Sequence, residues 1–148
     1  MVYKFGVVGY FMKDGCVFCK ILKGEIPCYK VWEDDSVVVF LDIAPYVVGH
    51  VMVVPKKHYR WIWDMPEEEY LHFMKSVLKI VFGLKKAFGT DWVEEGVAGV
   101  DIGHAHLHLF PRVARDGVIG FPSSVMDPKP SDKEMEDIAE KIRNAIED

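Results

Sequence analysis

Cysteine is scarce in this chain: Cys16, Cys19 and Cys28 are the only three among 148 residues. An odd, low count at this length excludes a disulfide framework and points to a reducing, cytoplasmic setting. No apolar run approaches the roughly 20 residues that a membrane helix needs. Positive charge is in deficit, with 18 Lys and Arg against 23 Asp and Glu and a formal net charge of −5. A duplex-binding protein must neutralise phosphates, so a nucleic acid polymer is a poor partner. A small phosphorylated ligand needs only a few local donors and stays open. No internal repeat is visible. We expect no secretory signal, because glycines interrupt the apolar stretch 5–12 and no convincing small-residue cleavage site follows. What is present, 50% hydrophobic and 28% charged residues, is ordinary globular composition. A single domain over 1–148 would hide roughly 70% of the surface of its unfolded chain.

Residues 1–13 read as an N-terminal extension, either an added strand or a segment upstream of a second possible start at Met12. The core is expected over 14–113, with a C-terminal loop and helix over 114–148. A short helix or turn fits 16–26. Two β-rich runs, 29–32 and 37–41, flank Glu33-Asp34-Asp35 and predict a hairpin. A third strand is expected over 50–54. The spacing predicts a long helix over 65–88, with Leu71, Met74, Val77, Leu78, Val81, Leu84 and Phe88 as its apolar stripe, Asp64 as its cap and Gly89 as its end. Alternation over 102–110 predicts a strand, 112–129 reads as loop, and a capping box of Ser131 and Glu134 starts a last helix with the stripe Met135, Ile138, Ala139, Ile142 and Ile146. The class is therefore α+β, a mostly antiparallel sheet with one long helix and a C-terminal helix.

Within the predicted strand, His104, His106 and His108 fall on one face. Burying three imidazoles requires partners for all their ring nitrogens, and an unpaired buried polar group costs roughly 1–3 kcal/mol. A strand selected for packing alone would carry valine. The spacing therefore points to metal binding or to phosphate chemistry. A neutral imidazole is a good nucleophile toward phosphorus, and flanking imidazoles can orient it or donate to phosphate oxygens. Cys16-x-x-Cys19 is a two-thiolate clip, which needs two further ligands to close a tetrahedral zinc site.

The run His104-Ala105-His106-Leu107-His108-Leu109-Phe110, followed by Pro111-Arg112, resembles the signature of the histidine-triad (HIT) family, His-φ-His-φ-His-φ-φ with φ hydrophobic. CVFCKILKGEIP, WEDDSVVVFLDIAP and GHVMVVPKKH resemble the family's N-terminal half in order and spacing, so that about 16–112 is covered. The Hint-like, purine-nucleotide-binding branch is the nearer one. The resemblance implies a HIT-like fold in a two-fold homodimer, with the long helix against its counterpart. It implies a nucleotide hydrolase or transferase acting at the α-phosphate of adenosine 5′-phosphoramidates or similar purine nucleotide conjugates. His106 would be the nucleophile, His108 a donor to phosphate and leaving group, and His50 a further active-site histidine. It places the base on Val17, Phe18, Ile21, Phe40 and Ile43, which plain core packing would also explain, and the ribose on Asp42. It completes a structural zinc site with His58 and His104 beside the two cysteines, and leaves the chemistry without need of a metal. Alternatives are a dinucleoside polyphosphate hydrolase, a weakly active nucleotide-binding or interaction module, and a hydrolase with catalytic zinc on the triad.

The chain departs from the family pattern just before the triad. Val100 stands where the family carries Gln, Asp101 where it carries Ser or Thr, and 93–96 holds no Asn. The missing amides are lost donors to phosphate, and Asp101 is expected to repel one. Cys28 is expected to be buried, His72 solvated near Glu68, and Trp61 and Trp63 to cover a pocket or interface.

Overall fold

The computed structural model describes residues 15–147. The extension expected over 1–13 lies outside them. Three helices and five strands follow in the order α1 (Val17–Leu22), β1 (Lys30–Glu33), β2 (Val37–Leu41), β3 (Val51–Pro55), α2 (Glu67–Phe88), β4 (Val93–Gly96), β5 (Leu107–Pro111) and α3 (Asp132–Ala145). The strands form one antiparallel sheet in the order β1-β2-β3-β5-β4.

The two central strands, VVVFL and VMVVP, are buried on both faces, which is why they are apolar throughout. Val37, Val39, Leu41, Val51 and Val53 point to one side, against Phe73, Val77, Ile80 and Leu84 of α2 and Met135, Ala139 and Ile142 of α3. Each of these Val, Leu, Ile, Phe and Met side chains contributes about 1.5–3 kcal/mol when fully buried. Val38, Phe40, Met52 and Val54 point to the other side, where Phe18, Cys16 and Cys19 cover them. The long helices thus lie on one face and leave the other to α1. No helix among the described residues is long and apolar enough to cross a membrane.

Several local expectations are corrected. The long helix starts two residues late, at Glu67, with Pro66 as its N-cap. Asp64 instead accepts from the Trp61 N–H (3.1 Å) across a 3-10 turn, Ile62–Asp64, that precedes it. Leu71 and Leu78 face outward, 60% and 55% exposed, and the buried stripe is Phe73, Val77, Ile80 and Leu84. The helix is apolar on two faces, and Ser76 and Gly83 on the inner one disguise which is the core side. The strand expected over 102–110 begins only at Leu107. Upstream, the Ala105 N–H donates to the Tyr59 carbonyl (2.7 Å), a loop bond that replaces a strand ladder. Strand β4 was not anticipated. VEEG has no apolar alternation, and its pairing with β5 decides its state. His72 is exposed, as expected, and bonds Asp34 (2.7 Å), whereas Cys28 is only half-buried. The Gly89 terminus of α2, at φ +61°, and the reciprocal Ser131–Glu134 capping box of α3 are present.

Candidate active site and metal centre

Cys16 caps α1, its sulfur accepting from the Cys19 N–H (3.4 Å), and one turn of helix brings both sulfurs to the same side. His104 reaches them from the segment before β5. Its Nε2–H donates to the Pro55 carbonyl (2.7 Å), which leaves the lone pair on Nδ1, 3.4 Å from Cys16 Sγ and 3.5 Å from Cys19 Sγ. His58 Nδ1 lies 3.4 Å from Cys19 Sγ. The four ligand atoms lie within 4.8 Å of one another. A tetrahedral zinc, with bonds of about 2.3 Å to sulfur and about 2.0 Å to nitrogen, holds such atoms about 3.5 Å apart. Burial, with the Pro55 carbonyl opposing it, holds His104 down at about 4, so that it is a neutral ligand at pH 7. Cys16, Cys19, His58 and His104 could hold a metal, and their separations fit zinc.

The next two histidines turn to other work. His106 Nδ1–H donates to the carbonyl of His104 (2.7 Å), so Nε2 keeps its lone pair. Burial pushes His106 down to about 4, against the bond to the His104 carbonyl and the nearby Asp42 carboxylate, so the ring is neutral at pH 7. His50 precedes β3 and is buried. Its Nδ1 accepts from the Tyr46 N–H (3.2 Å), which assigns the proton to Nε2, and Nε2–H donates to His108 Nδ1 (2.8 Å). His108 therefore carries its own proton on Nε2. Burial, then the neighbouring His108 and His106, push His50 down to about 3, and burial lowers His108 too. Asp42 Oδ2 lies 3.7 Å from His50 Nε2, and its other oxygen accepts from the Ala44 N–H (2.8 Å). Burial raises the Asp42 carboxyl.

His106 and His108 open onto a cavity of about 480 Å³. Val17, Phe18, Ile21, Phe40, Asp42, Ile43 and Asp101, all singled out from the sequence, line it; Ile43 and Val17 stand partly exposed at its mouth. His50 does not line it but stands behind His108. Sequence reasoning missed Met52, Val97, Phe110, Phe121 and Pro122 as lining residues. For Met52 the signal was available, since it alternates with the core side of β3; for Phe121 there was none. Among the described lining residues two are carboxylates, Asp42 and Asp101, and none is Lys or Arg. The lack of Asn in β4 has a structural counterpart: Glu94 is turned to the Arg112 guanidinium (2.9 Å). Gly99 is packed so closely that a Cβ there would lie 3.2 Å from Trp61, 3.4 Å from Arg60 and 3.5 Å from His106.

The model of the HIT domain family matches residues 23–115. The chain belongs to the HIT family. An uncharacterised HIT-like protein of Methanocaldococcus jannaschii is 46% identical over 108 residues, 70% of this chain and 84% of that protein. The adenosine 5′-monophosphoramidase of Schizosaccharomyces pombe is 33% identical over 135 residues, 86% of this chain and 98% of that protein. A zinc-bound HIT family protein of Mycobacterium smegmatis superposes with a TM-score of 0.75 at 26% identity, over 91% of this chain and 95% of that one. The α+β architecture expected for a HIT protein is thus the one observed.

Proposed function

We propose that this HIT protein is a nucleotide hydrolase or transferase that cleaves purine nucleotide conjugates of the adenosine 5′-phosphoramidate type at the α-phosphate. The reading rests above all on His106: a backbone carbonyl holds its Nδ1 proton at 2.7 Å, and the ring is kept neutral beside a nucleotide-sized cavity. The Nε2 lone pair forms a bond to the α-phosphorus while the bond to the leaving group breaks, the leaving group taking the bonding pair and a proton. Water then adds to the phosphorus, releasing the nucleoside monophosphate and His106. His108, its Nε2 proton assigned by His50, donates to a phosphate oxygen or to the departing atom. The base lies on Val17, Phe18, Ile21, Phe40 and Ile43, and Asp42 accepts from the ribose hydroxyls. Splitting the displacement into two steps is what covalent catalysis by a neutral imidazole offers.

Zinc on Cys16, Cys19, His58 and His104 is structural in this reading. It ties α1 to the segment before β5 and takes no part in the chemistry. Two copies pair through the outer face of α2, where Leu71, Leu78 and Phe82 are exposed.

The test is a panel of adenosine and guanosine phosphoramidates and dinucleoside polyphosphates, run with wild type and His106→Ala. Turnover of a phosphoramidate, its loss in His106→Ala, and retained AMP binding by that variant are expected. Near-wild-type rates in His106→Ala would overturn the assignment. Preference for the polyphosphates would shift the substrate class. A second reading, a nucleotide-binding module of low turnover, is favoured by the mouth: Val100 and Asp101 are exposed there without an amide donor, and Glu94 is engaged by Arg112.

A further inference from the structure

Arg112 is a buried cation, 1% exposed, at the position after β5. Asp116 accepts from its Nε (2.6 Å) and Nη2 (3.2 Å), and Glu94 from its Nη1 (2.9 Å). The carbonyls of Gly120 (2.7 Å) and Val118 (2.8 Å) take the remaining directions. The Trp92 ring covers the guanidinium at 4.3 Å. A buried charge lacking such partners would be strongly destabilising, so the set forms as a unit. Asp116, Val118 and Gly120 all belong to one irregular segment, 113–122, whose Ile119 is 97% exposed. With little burial of its own, that segment takes its shape from Arg112.

What the segment delivers is Phe121. Its ring meets Phe110 edge-on at 5.3 Å and lines the cavity. Gly96 of β4 leaves room for it, since a Cβ there would lie 3.1 Å from Phe121 Cζ. Phe18, His106, His108, Phe110 and Phe121 form a continuous row of rings, with successive centroids 5.2, 4.8, 5.9 and 5.3 Å apart. Phe18 at one end belongs to the base half. His106 and His108 stand in the middle, where the phosphorus reacts. The far end remains for the group that departs.

We propose that Phe121 is a specificity-determining residue that walls the leaving-group half of the cavity, and that Arg112 is the positioning residue that holds it there. The inference rests on the hydrolase reading and narrows its substrate class. A half-exposed aromatic wall favours a conjugate whose leaving amine carries an apolar or aromatic body over one that releases ammonia.

The experiment compares kcat/KM for the benzylamine phosphoramidate of AMP with that for the unsubstituted phosphoramidate. Wild type, Phe121→Ala, Arg112→Lys and the double variant are measured. Wild type is expected to prefer the benzyl conjugate, and Phe121→Ala to reduce that ratio about three- to tenfold, the worth of one aromatic contact. Arg112→Lys, which cannot reproduce the five-donor fork, should reduce the ratio similarly. In the Phe121→Ala background it should change the ratio no further, a coupling that a general loss of structure does not produce. A ratio unchanged within about twofold in Phe121→Ala would overturn the inference even if Arg112→Lys fails to fold. Independent, additive effects of the two substitutions would overturn the role of Arg112. A wild type that cleaves neither conjugate would overturn the hydrolase reading and this inference with it, an outcome distinct from activity without discrimination.

Discussion

Gly49 occupies the turn that delivers His50 to β3, at φ +85°. Gly49→Ala carries two separable costs. A residue with a Cβ in left-handed backbone costs about 1–2 kcal/mol. The added Cβ would also lie 2.5 and 2.6 Å from two ring carbons of Phe88 and 2.9 Å from Pro111 Cγ. Carbon atoms pack best at about 3.5–4.0 Å, so the ring or the turn must move, and overpacking of this kind costs about 1–3 kcal/mol. The sum, about 2–5 kcal/mol, is a large part of the ~5–15 kcal/mol that a domain has. Gly89→Ala supplies the control: it shares a left-handed backbone, φ +61°, but nothing lies within 4 Å of its new Cβ. In urea unfolding Gly89→Ala should lose about 1–2 kcal/mol and Gly49→Ala at least about 1 kcal/mol more. Adding Phe88→Leu to Gly49→Ala should recover part of the difference. Equal losses in the two glycine variants would refute the steric reasoning. Because His50 follows Gly49 directly and bonds His108 at 2.8 Å, Gly49→Ala should also slow turnover more than Gly89→Ala when both are folded.

Metal analysis of untagged protein should find about one equivalent of zinc, and Cys19→Ser should remove most of it; less than about a tenth in wild type rejects the site. Stability should fall with acid. His50 is held at about 3 in the fold against 6.5 unfolded, so its contribution is fully present above pH 6.5 and is lost as the pH drops toward 3. Between those limits the unfolded chain binds one more proton, a slope of up to about 1.4 kcal/mol per pH unit, and His50→Gln should flatten the urea-midpoint profile between pH 6.5 and 4. If two copies pair through α2 as proposed, wild type should sediment at twice the chain mass and Leu78→Glu, on the exposed face of that helix, at the mass of one chain with the fold intact; a wild type of single-chain mass, or a variant of unchanged doubled mass, would overturn that pairing.

Much of this site is legible in the sequence because it is written in residue types and short spacings. CxxC one turn apart and the Val37–Leu41 strand are local statements whose geometry short-range contacts set, and the alternation of three histidines marks the right residues although only His108 lies within β5. What is not legible depends on partners far along the chain. VEEG becomes a strand only because β5 offers it a ladder, and the inner face of α2 is chosen by β2, β3 and α3 rather than by its own two apolar faces. Arg112 looks like any surface arginine until Glu94 and the 116–120 carbonyls and carboxylate close around it.

The triad itself shows why spacing and chemistry separate. His104 and His106 are two residues apart and chemically identical, yet one has its free lone pair on Nδ1 among sulfurs and the other on Nε2 beside a cavity. The choice is made by two backbone carbonyls, Pro55 accepting from Nε2–H of the first and His104 itself accepting from Nδ1–H of the second. Every residue has a carbonyl, so no pattern of side chains encodes that choice. It follows that a substitution such as Pro55→Ala, which keeps the carbonyl, should leave the tautomer of His104 intact, while any shift of the 55–59 turn that withdraws the carbonyl would strip the Cys16, Cys19, His58 and His104 cluster of a histidine donor without touching one of its four residues.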